Sequence, residues 1–122
     1  MKKRKMTERK AYSENYIELI AVFENMSDFE LLSRTETAQF LHMSERGIER
    51  LKRENILKPY VICRKHYYRL GELRAFRKHY YIAYHEVYED ADLPLSKKEQ
   101  KLYEILRRYD YFEESIKDKH RD

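Results

Sequence analysis

Residues 33–55 read SRTETAQFLHMSERGIERLKREN, and this stretch predicts two short helices joined by a tight turn. Ser33 and Glu36 have the spacing of a capping box, in which each side chain accepts a hydrogen bond from the other residue's backbone amide. We therefore expect a first helix from Arg34 to Leu41. After the turn at His42, Met43 and Ser44, Ser44 is suited to cap a second helix, from Glu45 to about Asn55.

The second helix has two chemically different faces. Ile48 and Leu51 fall on an apolar inner face, because residues three or four positions apart lie on the same side of a helix. The outer face carries Glu45, Arg46, Glu49, Arg50 and Arg53. A capped helix, a three-residue turn and a second helix with a largely basic outer face form the pattern of a helix-turn-helix.

The next segment predicts a short β-hairpin, or wing. Pro59 ends the second helix, since the residue before a proline is disfavoured in the helical conformation. β-Branched and aromatic residues are concentrated at Tyr60 to Ile62 and at His66 to Leu70. Cys63, Arg64 and Lys65 link these two strands, so the tip of the hairpin is positively charged.

Helical periodicity flanks this unit on both sides, and the composition, with only two Gly and two Pro, indicates a mainly α protein. Apolar residues at helical spacing predict a helix from about Tyr12 to Asn25 and another from Glu72 to about Tyr88. A Ser96–Glu99 capping box predicts a last helix from about Lys97 to Ile116. The predicted segments are a basic flexible head at 1–11, an N-terminal helix at 12–32, the winged helix-turn-helix with an extended third helix at 33–89, and a C-terminal helix at 96–118.

The last helix carries an apolar seam with alternating spacings of three and four residues, as in a short coiled coil. Its members are Leu102, Ile105, Tyr109, Phe112 and Ile116. A helix of this length is marginal alone in water, so the seam must dock on another surface. Two partners stay open: the protein's own domain, or a second copy in a homodimer.

Positive charge is concentrated in the middle of the chain. The net charge is +4, but residues 33–79 carry +7 and residues 1–10 carry +5, whereas residues 11–32 carry −5 and residues 80–122 carry −3. A basic block of this kind is typical of a nucleic-acid surface, although a solvated charged surface would give the same count. Six further cations could extend this surface: Lys52, Lys58, Arg69, Arg74, Arg77 and Lys78.

Other functional classes receive little support from the sequence. The single cysteine, Cys63, has no disulfide partner, and no apolar run reaches the roughly 20 residues of a membrane span, so we expect a cytoplasmic protein. His79, His85 and Glu86 lack a metal-binding spacing, and nothing indicates a cofactor or catalysis. Tyr80, Tyr84 and Tyr88 fit a packing face better than a row of rings that stack on bases.

Residues 32–78 resemble the winged helix-turn-helix of the excisionase and MerR-like families. The matching positions are Leu32, Ser33, Ala38, Leu41, Met43, Ser44, Ile48, Leu51, Ile56, Leu57, Tyr68, Leu73 and Phe76. The chain departs from the pattern at His42, where glycine is frequent, and at Gly47, where a larger residue is common. The resemblance implies that the second helix enters the major groove and the wing lies along the adjacent backbone or minor groove. The implied DNA-binding residues are Ser44, Glu45, Arg46, Gly47, Glu49, Arg50 and Arg53 on the helix, with Arg64 and Lys65 at the wing.

These observations favour a sequence-specific binder of double-stranded DNA, either a transcriptional regulator or an excisionase-like recombination factor. A protein-interaction adaptor of a phage or mobile element is the alternative, in which the acidic terminal helices recruit a recombinase, polymerase or similar component. A third hypothesis is a single-strand binder that uses exposed tyrosines.

Overall fold

The computed structural model describes residues 22–120, with side chains through residue 117. The predicted basic head and most of the predicted N-terminal helix lie outside the described residues. Within them the chain is mainly helical, with one small sheet. In chain order the elements are β1 (Leu31–Ser33), α1 (Arg34–Leu41), α2 (Glu45–Arg53), β2 (Tyr60–Ile62), β3 (Lys65–Arg69), α3 (Leu70–Tyr88), α4 (Leu95–Leu106) and α5 (Tyr111–His120).

The sheet is antiparallel, with the strand order β1-β3-β2. The pairing of β2 with β3 confirms the hairpin predicted after Pro59, and Tyr60 pairs with Tyr67. The second strand covers Lys65–Arg69 instead of His66 to Leu70, because Leu70 already begins α3. Strand β1 corrects the prediction of one helix over 12–32: residues 22–25 are helical, but Leu32 pairs with Tyr68 in the sheet. The helix stops because the chain turns at Ser27, whose hydroxyl accepts a hydrogen bond from the Phe29 amide at 3.0 Å.

The core lies between the α1–α2 pair, the sheet and α3. Leu32, Ile48 and Phe76 are completely buried there. The two C-terminal helices pack on α3, and Leu106 of α4 is also completely buried. Burial of a side chain of this size contributes roughly 1.5–3 kcal/mol, so the C-terminal helices are part of the folded unit.

The C-terminal region corrects a second prediction, because it forms two helices instead of one from Lys97 to Ile116. Helix α4 ends at Leu106 and α5 begins at Tyr111. Asp110 caps α5, since its carboxylate accepts a hydrogen bond from the Glu113 amide at 3.1 Å. The predicted Ser96–Glu99 box is also wrong: α4 begins at Leu95 after Pro94, with no side-chain cap.

The predicted dimerisation seam does not exist as a continuous surface. Leu102 and Ile105 are buried within their own chain, whereas Tyr109 and Phe112 are partly exposed beyond the break in the helix. Ile116, the last member, is intermediate in exposure on α5. Docking on the protein's own domain is therefore the alternative that the structure favours. Homodimerisation stays a prediction, and this seam no longer supports it.

Two buried or half-buried cations hold helix ends in place. The Arg74 guanidinium donates to the carbonyl oxygens of Phe23 at 2.7 Å and Met26 at 3.0 Å, and it pairs with Asp28. Lys98 Nζ donates to the carbonyl oxygens of Val87 at 3.0 Å and Asp90 at 2.7 Å. The last carbonyls of a helix lack the amide partners of its interior, and each cation supplies a charged donor to carbonyl oxygens at such an end.

The two glycines have different packing environments and give a stability prediction. A Cβ on Gly71 would lie 3.0 Å from Asp28 Cβ and 3.2 Å from the Asp28 carbonyl oxygen, whereas the nearest atom to a Cβ on Gly47 is 3.4 Å away. We expect Gly71→Ala to lower the free energy of unfolding by about 1–3 kcal/mol, because the turn at Asp28 must move. Gly47→Ala should raise it by up to ~1 kcal/mol, because alanine favours the helix. Urea denaturation measures both changes, and equal effects of the two substitutions would contradict this description of the packing.

Candidate nucleic-acid interface

Helices α1 and α2 are both capped by a serine and joined by a short turn, as the sequence predicts. The Glu36 amide donates to Ser33 Oγ at 3.1 Å and the Ser33 amide donates to Glu36 Oε1 at 2.9 Å, which completes the capping box. Ser44 Oγ accepts from the Gly47 amide at 3.1 Å and starts α2. His42 adopts a left-handed conformation, with φ 60° and ψ 44°, and so has the backbone geometry that favours glycine at such a turn.

Helix α2 presents two free arginines to solvent. Ile48 and Leu51 are buried, as predicted, and Arg46 and Arg53 lie on the opposite side of the helix. These two arginines are seven residues, or about two turns, apart. Both are exposed, and neither forms an ion pair with any residue in the range 22–117. The helix ends at Arg53, two residues before the predicted end.

The acidic residues of α2 are neutralised by neighbouring cations. The Arg34 guanidinium lies 3.1 Å from a carboxylate oxygen of Glu45 and 3.1 Å from one of Glu49, and Lys52 Nζ lies 3.1 Å from the other Glu49 oxygen. Hydrogen bonds from Lys52 and Arg34 lower the pKa of Glu49. Glu45 and Glu49, which the resemblance assigned to the DNA, are thus engaged in ion pairs within the domain. Their pairing leaves the outer surface of α2 with excess positive charge.

Arg50 also has a partner, on α4. Its Nη1 lies 2.7 Å from Glu99 Oε2, and the Tyr103 hydroxyl donates to the same carboxylate oxygen at 3.1 Å. A second ion pair, between Arg107 and Glu54 at 2.9 Å, holds α4 beside the end of α2. Arg50 is exposed but tied, so it is less available to a ligand than Arg46 or Arg53.

The hairpin tip places a cation in an unfavourable backbone conformation. Cys63 and Arg64 have φ values of 50° and 69° and form a two-residue turn between the paired residues Ile62 and Lys65. Turns of this kind favour Asn-Gly, because the left-handed region costs other residues roughly 1–2 kcal/mol each. Arg64 and Lys65 are exposed, and neither forms an ion pair within the described part of the chain.

A cationic groove of about 570 Å³ separates the hairpin from α2. Lys52 Nζ lies 3.4 Å from His66 Nδ1 and connects the two walls. The groove is lined by Ser33, Arg34, Thr35, Glu49, Lys52, Arg64, Lys65, His66 and Tyr67. From the sequence, Arg34 was not assigned to the site and Lys52 was named only as a possible extension of the positive surface. Only the packing of α1 and the hairpin against α2 brings these two cations to one groove.

Two of the arginines that were expected to extend the positive surface have structural roles. Arg69 is only 7% exposed and donates to Ser115 Oγ at 3.0 Å, and Arg74 caps the helical turn at residues 22–25. The prediction that Arg69 and Arg74 extend the positive surface is therefore wrong, because both guanidinium groups are bonded to carbonyl, hydroxyl or carboxylate groups of the fold. Among the charged residues predicted for the site, Arg46, Arg53, Arg64 and Lys65 are exposed and have no ion-pair partner within residues 22–117.

The side chains described for residues 22–117 include no group of three or more His, Cys, Asp or Glu arranged to hold a metal ion. None of the helices described is both long enough and apolar enough to cross a membrane.

Comparisons with known proteins found no matching family model, no similar curated protein and no similar solved structure.

Proposed function

We propose that the protein binds double-stranded DNA sequence-specifically through a winged helix-turn-helix formed by α1, α2 and the β2–β3 hairpin. The observation that carries this proposal is the exposure of Arg46 and Arg53 on the outer face of a capped helix, where neither has an ion-pair partner among the described residues. A helix of this kind fits the major groove, where arginine can make bidentate hydrogen bonds to guanine. Its biological role would be transcriptional regulation or excisionase-like recombination.

The hairpin supplies contacts of a different kind. Arg64 and Lys65 project from its tip, across the cationic groove from α2, where they can contact phosphates on the flanking backbone. Phosphate contacts position a protein on the duplex but carry no sequence information. The strained conformation of Arg64 supports this role, since residues that break a local rule are concentrated at functional sites.

Selection from a random pool of duplexes tests the proposal. We expect enrichment of a defined sequence, and an affinity for it that falls steeply as the salt concentration rises. Recovery of no preferred sequence, together with weak salt dependence, would contradict DNA recognition. If there is no preferred sequence and the protein forms a stable complex with a defined protein partner, the adaptor hypothesis is favoured instead.

The hairpin contribution can be measured separately with Arg64→Ala/Lys65→Ala. Loss of two phosphate contacts should weaken binding similarly for all duplexes and reduce the slope of log affinity against log salt by about 2. Lys97→Ala/Arg108→Ala is the matched control, because it removes one lysine and one arginine that are exposed and make no ion pair among the described residues. An unchanged slope in the hairpin variant, or an equal change in the control, would exclude a specific phosphate contact at the tip.

A further inference from the structure

A second groove, of about 950 Å³, lies on the other side of α2. One wall is α2 with Arg46, Arg50 and Arg53, and the other is formed by α3 and α4. We call it the tyrosine groove, because the second wall contains Tyr80, Tyr84, Tyr88 and Tyr103. It shares Arg46 and Arg53 with the proposed duplex-binding face and is therefore continuous with that face.

The tyrosines form a partly exposed aromatic row. The Tyr84 and Tyr88 rings are stacked, with centroids 4.4 Å apart and an interplanar angle of 21°, and the Tyr80 ring lies 5.8 Å from that of Tyr84. Tyr84 is 42% exposed, so its ring is accessible to a ligand as well as packed on its neighbours. Proteins that bind single-stranded nucleic acid combine accessible aromatic rings, on which bases stack, with cations that contact the backbone.

The groove already holds an anionic oxygen that belongs to the chain itself. Glu99 Oε2 accepts from the Arg50 guanidinium at 2.7 Å and from the Tyr103 hydroxyl at 3.1 Å. The Glu99 side chain is 55% exposed, so it can turn into solvent without opening the core. A phosphate oxygen is an anionic acceptor that could replace it on the same two donors.

We infer that the tyrosine groove binds an unpaired nucleic-acid strand that continues from the duplex on α2. A base stacks on Tyr84, and a phosphate takes the position of the Glu99 carboxylate between Arg50 and Tyr103. The inference rests on the proposed duplex binding for its geometry, because it places the junction between paired and unpaired DNA at Arg46 and Arg53. A single strand supplies both a phosphate anion and a flat base at every nucleotide, whereas a glutamate-rich peptide supplies only the anion.

The test compares the selected duplex as a blunt molecule with the same duplex extended by a single strand of about ten thymidines, within the site sizes of single-strand binders. The extension should tighten binding about tenfold, as expected for one or two stacked bases. Tyr84→Leu should remove this gain and leave binding of the blunt duplex unchanged. Glu99→Gln should enlarge the gain, because it removes the competing charge.

Tyr81→Leu is the control, since Tyr81 is 65% exposed on α3 but does not line the groove. It should keep the full gain. The inference is overturned if the extension does not increase the affinity of the wild-type protein, or if Tyr81→Leu loses as much of that increase as Tyr84→Leu does. It is also overturned if a glutamate-rich peptide displaces the extension at concentrations where free oligothymidine does not. If the blunt duplex binds but the extension adds no affinity, this inference is wrong and the proposed function is unaffected. Binding of oligothymidine that Tyr84→Leu abolishes, without blunt-duplex binding, defeats the proposed function and supports the groove.

Discussion

Replacing Arg46 and Arg53 together with alanine should lower the affinity for the selected duplex by roughly 30-fold or more. Each bidentate contact of an arginine to guanine contributes about 1–3 kcal/mol of discrimination, so losing two removes about 2–6 kcal/mol. Both side chains are exposed and form no ion pair within residues 22–117, so the free energy of unfolding should stay nearly constant. Fluorescence anisotropy with the selected and a scrambled duplex measures the effect.

The Lys97→Ala/Arg108→Ala variant controls for the change in net charge. It also removes two positive charges, from positions outside the proposed interface, and should lower the affinity for the duplex only slightly. Arg50→Ala should have a smaller effect than Arg46→Ala on the blunt duplex, because Arg50 is held by Glu99 in the free protein. Equal losses in the arginine variant and in the charge control would reduce the role of α2 to general electrostatic attraction.

Replacing Arg69 with methionine should destabilise the protein by about 3–5 kcal/mol, the usual cost of removing one partner of a buried ion pair. The Arg69 guanidinium lies 3.8 Å from Glu72 and 3.0 Å from Ser115 Oγ. Its centre also lies 5.1 Å and 5.3 Å from the ring centroids of Phe29 and Phe112. Arg69 thereby joins β3 and α3 to α5, and its loss leaves Glu72 without a cation.

The pH dependence of this effect follows from Glu72. Burial raises the pKa of Glu72, against the opposing effects of a hydrogen bond from Tyr60 and the charge of Arg69. When the pKa of a carboxyl is higher in the folded than in the unfolded state, the free energy of unfolding of the protein falls as the pH rises from the unfolded-state pKa through the folded-state pKa. Without Arg69 the pKa rises further, so the deficit of Arg69→Met should be smaller at about pH 5 than at about pH 7.

Glu72→Gln provides the control for that experiment. The double variant Arg69→Met/Glu72→Gln should be more stable than Arg69→Met at neutral pH, because it buries no unpaired charge. Urea denaturation at the two pH values gives all the required free energies. A double variant no more stable than the single one would show that Arg69 acts through packing and not through Glu72.

The local features of the fold could be predicted from the sequence because short-range signals specify them. Ser33 and Ser44 mark the starts of α1 and α2, and Pro59 separates α2 from the hairpin. Strand β1 was missed because Leu32 becomes a strand residue only through its pairing with the distant Tyr68. The break before α5 did have a local signal, Asp110 followed by Glu113, which the periodicity of the apolar residues obscured.

The candidate site was predictable as a charged surface but not as a set of free and paired residues. The sequence placed Arg46, Arg50 and Arg53 on one side of a helix, yet it contains no sign that α4 lies close enough for Glu99 to bind Arg50. Arg34 likewise reaches Glu45 and Glu49 only because α1 packs across α2. Tertiary packing thus decides which charges are available to a ligand.

Amide chemical shifts recorded while the selected duplex is added test the central claim most directly. The proposal predicts that the largest changes fall on residues 45–53 of α2 and on residues 63–65 at the hairpin tip. Large changes restricted to α3, α4 and α5, with α2 and the tip unaffected at saturation, would contradict it.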